Sequence, residues 1–149
     1  MVIRKAEKTD IPALVRLRVA MRNEREGQGD AQALSAALEA WMRAHADDPA
    51  AATFLAEEEG RIAATASMTV STIMPSYCRL NDTRAYIYNV YTDPAFRHRG
   101  LAAAVVSALL DEARALGCTV AELNASPAGH PVYLKLGFGE LSGEMSLGL

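Results

Sequence analysis

Cysteine is nearly missing from this chain. Only Cys78 and Cys118 occur in 149 residues, far apart, with no CxxC pair and no Cys/His ligand spacing. That argues against a disulfide-stapled scaffold or a structural zinc site; we expect two free thiols, a reducing compartment and no bound metal. An excess of basic charge is missing too. The formal net charge is −3, which argues against general affinity for nucleic acid. Long apolar runs are absent: the longest, Leu101 to Leu110, is too short to span a bilayer and contains Ser107. The opening Met1-Val2-Ile3-Arg4-Lys5 has no apolar signal-peptide region. These absences predict a soluble cytoplasmic protein with neither membrane nor nucleic-acid partners. Neither GxxxxGK[ST] nor the three-glycine GxGxxG turn is present. No repeat, linker or low-complexity stretch divides the chain, so one domain over residues 1–149 is expected. Half of the residues are hydrophobic and 22% are charged, a globular balance.

What is present centres on residues 86–102. A β-rich stretch from Tyr86 to Thr92 ends at Asp93-Pro94, and Arg97-His98-Arg99-Gly100 then opens an apolar helix. Strand, basic glycine-containing loop and helix start form an arrangement suited to phosphate. The first N–H groups of a helix lack intrahelical partners and carry partial positive charge. Gly100 allows close approach of an anion, and Arg97 and Arg99 add full charges. The same spacing also fits an ordinary strand-to-helix turn with solvated arginines.

In chain order, Val2 to Ala6 reads as a strand. Thr9 or Asp10 caps a helix with the apolar stripe Ile11, Leu14, Val15, Val19 and Met21. Arg22 to Asp30 reads as a polar loop. A second helix, Ala31 to Ala46, carries Leu34, Leu38, Trp41, Met42 and His45 on one face, a pattern that is more often core than ligand site. Thr53–Glu57 and Arg61–Val70 read as a hairpin turning at Gly60, its second arm alternating with one face buried. Ser71 to Thr83 is irregular. Leu101, Val105, Ala108, Leu109 and Leu116 recur at helical spacing up to Gly117. Thr119 to Leu123 is a strand, a short helix begins near Pro127, and Met145, Leu147 and Leu149 alternate as in a last strand.

The hexapeptide Arg97 to Ala102 resembles the (Gln/Arg)-x-x-Gly-x-(Gly/Ala) signature of the GCN5-related N-acetyltransferases, and Tyr133-Leu134-Lys135-Leu136-Gly137-Phe138 resembles the Tyr-x-x-x-Gly-Phe of that family's later motif. The opening strand and helix are similar as well. The resemblance implies an α+β fold: a mixed, mostly antiparallel sheet splayed between its fourth strand (Tyr86–Thr92) and fifth strand (Thr119–Leu123), flanked by about four helices. It implies an N-acetyltransferase that moves acetyl from acetyl-CoA directly to a primary amine within a ternary complex, the acceptor being a small-molecule or peptide amine. Dimerisation is common in the resembling family, and nothing in the sequence decides it.

Carried over residue by residue, the edge of Val90, Tyr91 and Thr92 would pair with the pantetheine arm. The amides of His98, Arg99, Gly100, Leu101 and Ala102 would hold the pyrophosphate, with charge from Arg97 or Arg99. Tyr133 would protonate the departing sulfur, since an unperturbed phenol is protonated at neutral pH. The family's cofactor-arm asparagine is replaced by Ser126, with Asn124 nearby. Some relatives carry a glutamate base on the fourth strand; here Tyr86 stands there, and no acidic residue lies between Arg84 and Thr92. Deprotonation would run through water at Tyr88 or Asn89, through Glu122, or be needless for an amine that arrives neutral. That gap also leaves open a non-catalytic acyl-CoA sensor of the same fold. An unrelated phosphosugar or mononucleotide binder is a third reading.

Overall fold

The computed structural model describes residues 1–149. Its strands are β1 (Val2–Lys5), β2 (Ala51–Glu58), β3 (Arg61–Ile73), β4 (Asp82–Thr92) and β5 (Val120–Leu123). Its helices are α1 (Ile11–Glu26), α2 (Ala31–His45), α3 (Leu101–Ala115) and α4 (His130–Lys135). The strands lie side by side in chain order, antiparallel from β1 to β4, with β5 parallel to β4. This is the mixed, mostly antiparallel sheet with four helices that the motifs imply.

Short connections explain the antiparallel half. Between β2 and β3 only Glu59 and Gly60 turn the chain, both at positive φ (54° and 71°), as a two-residue hairpin requires. The β4-to-β5 connection contains α3, long enough for a parallel crossover. α3 packs on one face of the sheet. Leu101, Val105, Val106 and Leu109 meet a floor of alanines (Ala56, Ala64, Ala66, Ala85) with Met68 and Ile87. Small strand side chains let the helix sit close and exclude water from these four residues, whereas Leu116, expected in the same stripe, lies just past α3 and is exposed. α1 covers the opposite face, burying Ile11, Leu14, Val15, Leu17 and Met21.

The structure corrects four local expectations. α1 runs to Glu26, so the loop shrinks to residues 27–30, and Leu17 rather than Val19 is buried. Ala63 to Met68 of β3 are buried without alternation, because α3 covers one face and α1 the other. The stripe of α2 is not core: none of its residues is buried, and Trp41 is 45% exposed. Glu144 to Leu149 forms no strand; Met145, Leu147 and Leu149 meet no sheet edge and stay exposed. Alternation makes a strand only where a neighbour accepts its hydrogen bonds.

Two irregularities in β4 position the site. β5 pairs only with Arg84 to Ile87, so from Tyr88 onward β4 has no partner on that side. On its other side, Thr65 faces Tyr91 but Ser67 faces Tyr88, which gives β4 one extra residue. Asn89 takes that bulge at φ 55°. The bulge resets the alternation: Tyr88 and Asn89 line the cavities on the α1 side, and Tyr91 again packs on Leu17 and Met21 of α1.

Candidate active site

The loop after β4 is held at both ends by the core. Asp93 accepts the amide of Ala95 at 2.9 Å, and Phe96 and Leu101 are buried, 3% and 2% exposed. Between them the chain turns through positive φ at His98 (63°) and Gly100 (80°). The amides from His98 to Ala103 have no hydrogen-bond acceptor within the chain; the ladder of α3 begins with Ala104 donating to the Gly100 carbonyl at 3.1 Å. Consecutive free N–H groups at a helix start form an anion cradle. The expected loop amides of His98, Arg99, Gly100, Leu101 and Ala102 therefore lie together in one turn.

The two loop guanidinium groups point elsewhere. Arg97 grips Glu24 of α1 at 2.8 and 2.9 Å and donates Nε to the Thr92 carbonyl at 3.1 Å. Tyr91 donates its hydroxyl to the same Glu24 at 2.6 Å. These bonds, Tyr91's first and Arg97's second, hold the Glu24 carboxyl below the usual carboxylate range. Burial, with the bond to Glu24, pushes the Tyr91 phenol up to about 12. Arg99 pairs with Glu59 at 3.0 Å and lies 5.1 Å from the Phe96 ring centre.

Where β4 and β5 part, a cavity of about 390 Å³ opens. One wall is Tyr86 to Val90 of β4; the other is Leu123 at the end of β5 and Asn124 to Ser126 after it, with Tyr133 of α4. So Val90, Ser126 and Tyr133 of the expected set share a cavity. The Tyr91 side chain lies apart, packed on α1, and Leu101 is core, with only its backbone available. Ser126 Oγ accepts the Gly129 amide at 3.2 Å. Tyr133 is 8% exposed, and its ring meets Phe138 edge-on at 5.9 Å between centres. Burial raises its phenol above the ordinary value.

A third wall was not anticipated. Arg18, Arg22 and Arg25 of α1 line this cavity, and no carboxylate does. Their spacing of four and three residues places them on one helix face, a signal the sequence already carried. Arg22 is paired with Glu26. Arg18 is half-buried, with only Asn89 Oδ1 at 3.5 Å as a side-chain partner. Burial, then the neighbouring Arg22 charge, depresses its ionisation below the ordinary arginine range. Glu122, one of the base candidates, lies off the cavity and is bound by Arg84.

A larger cavity, about 530 Å³, lies between α2 and the sheet and shares Arg18, Tyr88 and Asn89 with the first. No helix is long and apolar enough to cross a membrane.

Comparison with known proteins fits this geometry. The sequence pattern of the Acetyltransferase (GNAT) family matches residues 21–138. A glucosamine 6-phosphate N-acetyltransferase of Trypanosoma brucei brucei is 33% identical over 96 residues, covering 64% of this chain and 63% of that protein. The protein of the same name from Arabidopsis thaliana is 30% identical over 105 residues, covering 70% and 68%. Among solved structures, a predicted acetyltransferase with acetyl-CoA from Clostridium acetobutylicum superposes with a TM-score of 0.85 at 29% identity, over 99% of this chain and 95% of that one. The chain belongs to the GNAT family of acetyltransferases.

Proposed function

We propose that this protein transfers an acetyl group from acetyl-CoA to the primary amine of a small molecule, directly, with both substrates bound. The observation that carries this reading is the cavity between β4 and β5, in which a buried phenol faces a strand edge that runs on into the loop of unpaired amides. The amides of His98 to Ala102 receive the pyrophosphate, and the free edge from Tyr88 to Thr92 pairs with the pantetheine amides as an added strand would. On this reading the thioester lies beside Tyr133.

The chemistry then needs a neutral amine and a proton for sulfur. With no carboxylate in the cavity, the lining itself supplies the first. Arg18 and Arg25, neither paired with a carboxylate, disfavour an ammonium ion beside them and lower its pKa, so the amine binds with its lone pair free. The nitrogen attacks the thioester carbon, the carbon–sulfur bond breaks, and the leaving thiolate takes the phenolic proton of Tyr133. The nitrogen's surplus proton leaves through water and the phenolate is reprotonated. Burial, which raises the Tyr133 pKa, keeps this donor protonated at neutral pH.

Thiol release from acetyl-CoA over a panel of amines tests the reading, with glucosamine 6-phosphate included because two relatives carry that name. Tyr133→Phe should lower kcat by about 100-fold or more, the usual share of a general acid, with unchanged CoA affinity. Unaltered turnover would remove Tyr133 from the mechanism. CoA binding without thiol release for any amine would return the chain to a sensor role.

A further inference from the structure

We propose that the acceptor is an α-amino acid with an apolar side chain, its carboxylate held by Arg18 and its side chain seated between α2 and the sheet. The proposal rests on the acetyl-transfer reading above.

The larger cavity is the first ground. Leu38, Trp41 and Met42 of α2 form one wall, and Ile11, Leu14 and Met68 line it from α1 and the sheet. α2 has an apolar face yet buries no residue, so it stands off the sheet and leaves an apolar space of about 530 Å³. A space of that size and lining suits an aromatic or branched aliphatic group. Lys8 and Lys5 at its rim are paired, Lys8 with Asp47 and Lys5 with Glu112, each at 2.7 Å, which leaves Glu7 as the rim carboxylate with no ion pair.

The second ground is the junction of the two cavities. Arg18, Tyr88 and Asn89 line both. Arg18 is half-buried, has no carboxylate partner, and sits on the face that carries Arg22 and Arg25. A partly desolvated guanidinium without a counterion calls for an anionic ligand, and its planar fork matches a carboxylate. The ligand must therefore place an anion at the junction, an amine in the smaller cavity and apolar bulk in the larger. An α-amino acid carries those three groups on one carbon. A polyamine would be repelled by the arginines. A phosphosugar offers the anion but would put hydroxyl groups against Leu38 and Met42.

The test is a set of matched acceptors read as kcat/KM. Phenylalanine should exceed phenylalaninamide by about 10- to 100-fold, the range of a charge-assisted hydrogen bond. Leucine should exceed glycine by about fourfold per buried methylene. Arg18→Met should raise KM for leucine and leave KM for acetyl-CoA unchanged. Met42→Trp, which fills the larger cavity, should erase the preference for leucine over glycine. CoA affinity by calorimetry certifies that each variant is folded. Equal rates for acid and amide, or glucosamine 6-phosphate exceeding leucine, would overturn the assignment while acetyl transfer stands. Failure to bind CoA, or silence with every amine, would refute acetyl transfer itself and this assignment with it.

Discussion

Gly129→Ala gives a sharp test of the Tyr133 geometry without touching the phenol. Gly129 has an ordinary φ of −82°, so the backbone accepts alanine. The space does not. A methyl there would lie 2.9 Å from Tyr133 Cε2, 3.3 Å from its Cζ and 3.3 Å from Ser126 Oγ. Carbon atoms in contact settle at about 3.5–4.0 Å, so the ring must move by roughly half an ångström or more. It cannot swing freely, because it is 8% exposed and braced by Phe138 at 5.9 Å. Overpacking of this kind costs about 1–3 kcal/mol. The lost freedom of glycine in the unfolded chain returns about 0.4–1 kcal/mol. The net loss is then at most about 2.6 kcal/mol, centred on about 1.3 kcal/mol, which for a chain of this size lowers Tm by about 3–5 °C. Misplacing a reacting group by a fraction of an ångström to 1 Å should lower kcat by about 10- to 100-fold. Thermal melting, calorimetric CoA affinity and steady-state thiol release measure the three quantities. A variant with wild-type kcat and a lowered Tm would show that the Tyr133 position does not matter to turnover. Wild-type values for both would show that the ring is not packed as described.

Other perturbations test the remaining parts. Gly100→Ala forces a β-carbon onto a residue at φ 80°, a strain of about 1–2 kcal/mol, and should weaken CoA binding by about tenfold in calorimetry as the cradle distorts. Gly100→Asn, which tolerates that region better, should lose less; equal losses would discount backbone strain. Glu24→Gln removes the carboxylate that holds Arg97 at 2.8 and 2.9 Å, so it should tighten CoA binding several-fold at low salt; weaker binding would show that Glu24 props the loop instead. Asp10 accepts Arg4 through both oxygens at 2.8 Å and the Glu7 amide at 2.7 Å, bonds that depress its pKa. Its contribution is therefore fully present above the unfolded aspartate pKa, about 3.9, and is lost as pH falls through the lower folded value. Asp10→Asn should cost about 2–3 kcal/mol at pH 7 and flatten the acid limb of the stability–pH curve. An unchanged acid limb in urea titrations would count against the pairing.

How much of this was legible depended on the range of the interaction. The hairpin at Gly60, the crossover through α3 and the start of that helix at Gly100 are local events, and local spacing predicted them. Tyr133 and Gly137-Phe138 kept a recognisable register for the same reason. The burial of both faces of β3 was not legible, since nothing in Ala63 to Met68 says that a second helix lies over Thr65 and Ser67. α2 misled because an apolar stripe specifies a preference for burial, not a partner at the right distance. The C-terminal alternation misled likewise. Arg18, Arg22 and Arg25 were legible as one helix face, but not as a cavity wall, which requires knowing that α1 crosses beside the open end of β5. The bulge at Asn89 left no sequence signal beyond an asparagine that tolerates positive φ.

The anion loop separates what fixes its shape from what supplies its charge. Phe96 and Leu101 anchor it in the core from either side, while Arg97 to Gly100 between them are exposed. Unpaired amides there face water, so presenting them costs little; positive φ at His98 is the main local strain. The arginines add only one bond each to the backbone around this loop, Arg97 Nε to the Thr92 carbonyl at 3.1 Å and Arg99 to the Ala95 carbonyl at 3.5 Å. Their carboxylate partners, Glu24 and Glu59, belong to other elements, and these exposed pairs are weak enough to exchange for a phosphate. Glu24 sits on the helix that carries Arg18 and Arg25, so the Arg97–Glu24 pair ties the loop to the helix that walls the cavity between β4 and β5. If the loop takes the donor and the cavity the acceptor, as proposed, α1 touches both, and substitutions on that helix should change substrate choice most.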